Sequence, residues 1–108
     1  MEEQKKAIKL LQTAKNYDID KYREINFFKT HTSFMGTPKK HPADKGKIVL
    51  VSEPFTSETE FYEFPVEAID YFEEVGTISS EYGDSALRIR IWVRKGTPAI
   101  KYEPFVVE

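Results

Sequence analysis

Apolar residues recur along this chain at two different periods, and the change between them divides it. In "EEQKKAIKLLQTAKN" (2–16), Ala7, Leu10, Leu11 and Ala14 fall at the spacing that puts them on one helical face, with Ile8 at its flank. Glu2 and Glu3 lie near the positive end of the helix dipole and Lys15 near the negative end. The pattern predicts an amphipathic helix over 1–16, about three to four turns long, whose stripe packs on the body of the protein or on a partner chain. The segment 17–28, "YDIDKYREINFF", fits two readings. Asp20 can cap another helical turn, or Ile25, Phe27 and Phe28 can begin a strand.

After Lys47 the pattern becomes that of strands. "KIVLVSE" is a short, almost continuous apolar run rich in β-branched residues, the mark of a strand buried on both faces, and Pro54 ends it. "EFYEF" is aromatic and strand-like and stops at Pro65. "AIDYFEEV" reads as a strand with Ile69, Tyr71 and Val75 on one face and Gly76 after it; "YGDSA" reads as a turn. In "LRIRIWVRKG" the alternation is strict: Leu87, Ile89, Ile91 and Val93 point one way, and Arg88, Arg90, Trp92 and Arg94 the other. "KGTP" turns the chain into a last strand, "AIKYEPFVV", where Pro104 marks an edge or a bulge. Five to six strands and one helix predict a mainly β (α+β) fold: a small antiparallel barrel or rolled sheet, SH3-like or OB-like, with an N-terminal helix. At 108 residues the chain makes one domain, 1–108, with the helix over 1–16 and the β-rich body over 24–108.

Composition narrows the chemistry. Cysteine is absent, which removes disulfides, thiolate catalysis and zinc-thiolate sites and fits a cytoplasmic protein. No apolar run approaches the ~20 residues of a membrane span, and "MEEQKKAIKLL" is a poor signal peptide. The net charge is only -2 but unevenly spread. Eight acids, from Glu53 to Glu74, occur in a stretch without Lys or Arg, while the polar face of "RIRIWVRK" is basic. Arg88 and Arg90 are therefore expected to meet these acids, Glu63 and Glu73 first, as cross-strand pairs. A second reading makes Arg88, Arg90, Trp92 and Arg94 a nucleic-acid-binding stripe with an aromatic platform. The negative net charge and the acidic neighbours count against it.

The stretch "KTHTSFMGTPKKHPADKGK" (29–47) holds both histidines, five lysines and one acid, Asp44. Its turn formers predict a loop, and loops this long often carry function. Lys39, Lys40, His41, Lys45 and Lys47 are the candidate anion-binding residues of a 36–47 loop, with backbone amides near Gly36 and Gly46 as further donors. There is no Walker or Rossmann glycine spacing. His31, His41 and Asp44 lack a metal-ligand spacing, and Asp70, Glu73 and Glu74 read as a solvated face more readily than as a Mg²⁺ site. No serine stands in G-x-S-x-G. No metal and no cofactor is implied.

The series "KTHTSFMGTPKKHPADKGKIVLVSEPF", "FYEF", "EEV" and "RIWVRKGTPAIKYEPFVVE" resembles a small, poorly characterised bacterial family. That family pairs a G-x-P-x-x-H-P-x-D loop with an F-Y-E-F strand and a closing R-I-W-V-[RK]-K-G…P-F-x-V-E. The resemblance covers roughly Lys29 to Glu108 and implies that these positions cluster. Some members carry an inorganic pyrophosphatase label. Soluble pyrophosphatases hold several Mg²⁺ ions with a dense aspartate motif, and Asp18, Asp20, Asp44, Asp70 and Asp84 form no such motif here. The expected function is a non-catalytic binding or assembly module, anion-binding through the 36–47 loop. The alternative is a Mg-dependent phosphate-ester or pyrophosphate hydrolase. The expected partners are a second copy of the chain, as a homodimer, and a small anion; nucleic acid and membrane are not expected.

Overall fold

The computed structural model describes residues 2–13 and 27–108. Helix α1 spans Glu2–Thr13, and a single helical turn, α2, spans Phe27–Thr30. The strands are β1 His31–Lys40, β2 Lys47–Ser52, β3 Glu60–Pro65, β4 Ile69–Ser79, β5 Ser85–Arg94, β6 Pro98–Lys101 and β7 Glu103–Val106. They form one antiparallel seven-stranded sheet, ordered β4-β5-β1-β2-β3-β6-β7, that does not close on itself. Ala14, Lys15, Asp20 and Ile25, with most of the ambiguous segment, lie outside the described residues. Its last two residues, Phe27 and Phe28, are helical and do not begin a strand.

Two segments raise the strand count above the expected five to six. The first is His31–Lys40, expected as a loop, which is a ten-residue strand in the interior of the sheet. Gly36 and Pro38 disguise it. Both are turn formers, yet both fit because the strand changes partner between them. Residues 31–36 pair with β5, from His31↔Arg94 to Gly36↔Ile89, and residues 37–40 pair with β2, from Thr37↔Val51 to Lys40↔Ile48. Pro38 thus has a ladder on one side only, where a missing N–H is tolerated. The second segment is the expected last strand, which is a hairpin: β6 and β7 reverse at Tyr102, whose φ is 63°. The chain end then returns to the sheet, where Gly96 and Val107 are joined through the Gly96 amide and the Val107 carbonyl, and Thr32 Oγ1 donates to the carbonyl of Glu108.

The core lies between α1 and the sheet. Ala7, Ile8 and Leu11 of the helix join Ile48 and Leu50 of β2, Phe64 of β3, Ile69 of β4, and Ile89, Ile91 and Val93 of β5. Each buried Val, Leu, Ile or Phe among them contributes roughly 1.5–3 kcal/mol on burial. The helix stripe therefore packs on the protein's own body, turned so that Ile8 is buried and Leu10 only half-buried. Where β1 leaves β5 beyond Gly36, the Leu87 amide finds its acceptor in Gln4 Oε1 of α1, at 2.9 Å. The alternation in β5 holds as expected, with Ile89, Ile91 and Val93 fully buried. That in β4 does not: Ile69 is buried and Val75 exposed, because the register shift at Ile69/Tyr71 reverses the faces and Val75 falls at the second shift, Glu74/Gly76, without a partner on β5. Among the described residues no helix is long and apolar enough to cross a membrane.

Candidate functional site

The register of four strands builds the candidate site. Lys39, Val49, Glu63 and Ile100 are successive cross-strand neighbours on β1, β2, β3 and β6, so their side chains share one face. The next row on that face is Thr37, Val51 and Phe61. It opposes the core, which takes Ile48, Leu50 and Phe64 on the other face. An open cavity of about 800 Å³ lies over it. Val49, Phe61 and Pro42 supply apolar lining; Lys39 and Lys40 line it from the end of β1, and Lys6 from α1. His41 and Glu63 complete the lining.

His41 is fully committed to the protein. Its Nδ1 accepts the amides of Ala43 (3.1 Å) and Asp44 (2.9 Å). A ring nitrogen that accepts two N–H groups carries no proton, so the proton sits on Nε2 and is donated to Glu63 Oε1 at 2.5 Å. The imidazole is thus neutral, and it closes the β1–β2 turn. It offers neither a lone pair to a metal nor a vacant nitrogen to a reacting proton. Glu63 is held by the same bond. Lys6, Lys39 and Lys40, in contrast, form no ion pair among the described residues.

The five expected anion-binding residues are shared between neighbouring cavities, with Lys40 and His41 common to two of them. Lys39, Lys40 and His41 meet at the cavity, though His41 has no free donor. Lys45 and Lys47 do not line it; with Leu10 and Asp44 they line smaller hollows of about 390 and 200 Å³, and Lys40 and His41 join them in the second. Nor do the glycines supply free amides. Gly46 N donates to Asp44 Oδ1 at 2.8 Å, and Gly36 is buried inside β1. Sequence reasoning missed Lys6, Val49, Phe61 and Glu63 as site residues. The alternation in "EFYEF" already placed Phe61 and Glu63 on one face; nothing in the sequence linked Lys6 to Lys39.

The arginines of β5 are paired within the chain. Arg90 Nη1 lies 2.9 Å from Glu73 Oε1, as expected, and Arg88 Nη2 lies 3.7 Å from Glu53 Oε1. Glu63 is not its partner: it sits on β3, and β5 is flanked by β4 and β1. Arg94 meets Asp70 at 3.4 Å and also donates to the Glu67 carbonyl. Trp92 is half-buried between Ser33 and Tyr71 in register. These partly exposed pairs contribute roughly 0.2–1 kcal/mol each, and they leave the stripe's three arginines matched by acids rather than open to phosphates.

The other histidine has a different setting. His31 is 8% exposed; its Nδ1 lies 2.6 Å from Thr30 Oγ1 and its Nε2 2.7 Å from Asp70 Oδ2. This chain of hydrogen bonds ties the α2–β1 junction to β4. His31 and His41 stand at opposite ends of β1, ~30 Å apart along an extended strand, so the two histidines and Asp44 do not form one metal site. Asp70 is engaged by His31 and Arg94, and Glu73 by Arg90. Among the described residues no three of His, Asp and Glu come together as a metal-holding group. Compared with known proteins, the chain matches no family model, no curated protein and no solved structure.

Proposed function

We propose that this protein is a non-catalytic binding module of the cytoplasm, and that the cavity beside β1 takes a small anion. One observation carries this: Lys6, Lys39 and Lys40 surround an open cavity without an acid partner among the described residues, while its carboxylate, Glu63, is held by His41. The commitment of both His41 nitrogens favours binding over acid–base chemistry. Three lysine ammonium groups near one anion, at about 1 kcal/mol each in water, give ~3 kcal/mol. A bare anion therefore binds in the millimolar range, and more weakly as salt screens it.

The test is a phosphate titration at low ionic strength, followed by amide chemical shifts. Lys39, Lys40 and His41 are expected to move, and the double variant Lys39→Gln/Lys40→Gln to lose the response. No shift at these positions would end the reading. Phosphate release from pyrophosphate in the presence of Mg²⁺ would instead support the hydrolase. The partner change in β1 and the return of the chain end to Thr32 support a rolled rather than flat sheet. For the homodimer we look to the edge strand β7, where Val106 is 55% exposed and Tyr102, at the hairpin tip, 76%. Sedimentation equilibrium at micromolar concentration is expected to give twice 12.6 kDa; a single 12.6 kDa species would refute the dimer.

A further inference from the structure

We infer that the occupant of this cavity is an anionic amphiphile, a carboxylate or phosphate head on an aliphatic or aromatic body. The inference rests on the anion-binding reading of the same cavity and adds the chemistry of the rest of the ligand. Charge and apolar surface are laid out side by side. Lys39 stands on β1, Val49 beside it on β2, and Phe61 on β3 in the adjoining row. Strand spacing puts Phe61 ~12 Å from Lys39, backbone to backbone. A head held by Lys39, Lys40 and Lys6 therefore leaves an attached body lying over Val49 and against Phe61, which is 51% exposed.

An aromatic ring left this open beside a half-buried valine has apolar area to cover, and an inorganic anion covers none of it. The lining charge of three lysines against Glu63, with His41 neutral, selects a negative head. It also selects a direction, since Glu63 lies beyond Val49 on the side away from Lys39. The site is concave and of about 800 Å³, a size suited to a small molecule. The ligand is accordingly a free molecule rather than a bilayer surface.

The intact chain is titrated with acetate, butyrate, hexanoate and octanoate below micelle formation, with octanol as the uncharged control and inorganic phosphate as the bare head. Each methylene fully removed from water is worth roughly four-fold in affinity. The carboxylate series is therefore expected to tighten about two- to four-fold per methylene, half to full coverage. Octanol is expected to bind at least about ten-fold more weakly than octanoate, since it lacks the ~3 kcal/mol lysine contribution. Phe61→Ser, a change at an exposed position, is expected to flatten the series and leave the phosphate response intact. Lys39→Gln/Lys40→Gln weakens every anion.

A series flat in chain length with phosphate still bound would overturn this inference and leave the anion reading standing. Silence towards both phosphate and octanoate would overturn both. Octanol binding as tightly as octanoate would remove the need for a charged head. Co-flotation with phosphatidylglycerol vesicles without a response to free octanoate would replace the small ligand by a membrane surface and so refute it.

Discussion

Replacing Gly36 by alanine tests the partner change in β1 directly. A Cβ built on Gly36 lies 2.6 Å from the carbonyl oxygen of Val51 and 3.0 Å from both the Val51 carbonyl carbon and Leu50 Cγ. The oxygen belongs to the backbone of the paired strand and cannot rotate aside. Restoring even a 3.0 Å contact means moving β1 and β2 apart by 0.4 Å (3.0 minus 2.6). This happens where β1 passes from β5 to β2 and no slack exists. Overpacking of this kind costs about 1–3 kcal/mol, and the rigidity of the obstacle places Gly36→Ala in the upper half of that range. For a domain of this size 1 kcal/mol corresponds to roughly 4 °C in Tm, so a fall of about 8–12 °C is expected. Thermal unfolding followed by circular dichroism measures it, and urea unfolding should show a lower midpoint at unchanged slope. Gly83→Ala is the control: its φ is 89° but nothing lies within 4 Å of the added methyl, so it reports backbone strain without a clash. A Gly36→Ala protein as stable as the parent, or no worse than Gly83→Ala, would show that β1 does not need close backbone approach there. Lys39 follows Gly36 by three residues, so the same variant should also weaken the phosphate response.

Ile91→Ala, at a fully buried position between Phe34 and Phe72 in register, is expected to cost about 2–5 kcal/mol by urea unfolding. Tyr82→Ser, at a position 85% exposed, should change nothing measurable. Gln4→Ala removes the acceptor of the Leu87 amide and is expected to cost about 1–3 kcal/mol; hydrogen exchange at Leu87 should quicken, and unchanged protection would mean that another group takes the bond. Lys101 has its pKa raised above 10.5, chiefly by its hydrogen bond to Glu60 and then by Tyr62. A raised pKa in the folded state stabilises below the unfolded value and is lost as pH climbs through the folded value, so any contribution of this pair fades only above pH 10.5. In Glu60→Gln the Lys101 ammonium should titrate closer to 10.5 by NMR, and an unaltered value would remove Glu60 as the cause.

The sequence by itself determined the elements whose periodicity is local. The helix stripe followed from Ala7, Leu10 and Leu11 at helical spacing with Ile8 at its flank, its exact turn apart, and β5 from the alternation of Leu87 to Arg94, because side-chain direction follows backbone period. The meeting of Arg90 with Glu73 followed from charge segregation between β4 and β5. The tertiary structure alone decided the rest. "HTSFMGTPKK" shows no strand period, since Gly36 and Pro38 answer to a change of partner that involves β2 and β5, strands far along the chain. The bulges of β4 shift the face of Val75 for reasons that lie in its pairing with β5. The clustering of lysines from Lys39 to Lys47 was plain in the sequence, but their division between the large cavity, lined by Lys39 and Lys40, and a smaller hollow, lined by Lys40, Lys45 and Lys47, was not. That division depends on cross-strand register, which aligns Lys39 with Val49 and Glu63, and on the docking of α1, which brings Lys6 beside them. Register and docking are set by the burial of the opposite face, where Ile48, Leu50 and Phe64 share one core cluster with Ala7 and Leu11. The polar site thus takes its geometry from apolar residues that never touch it.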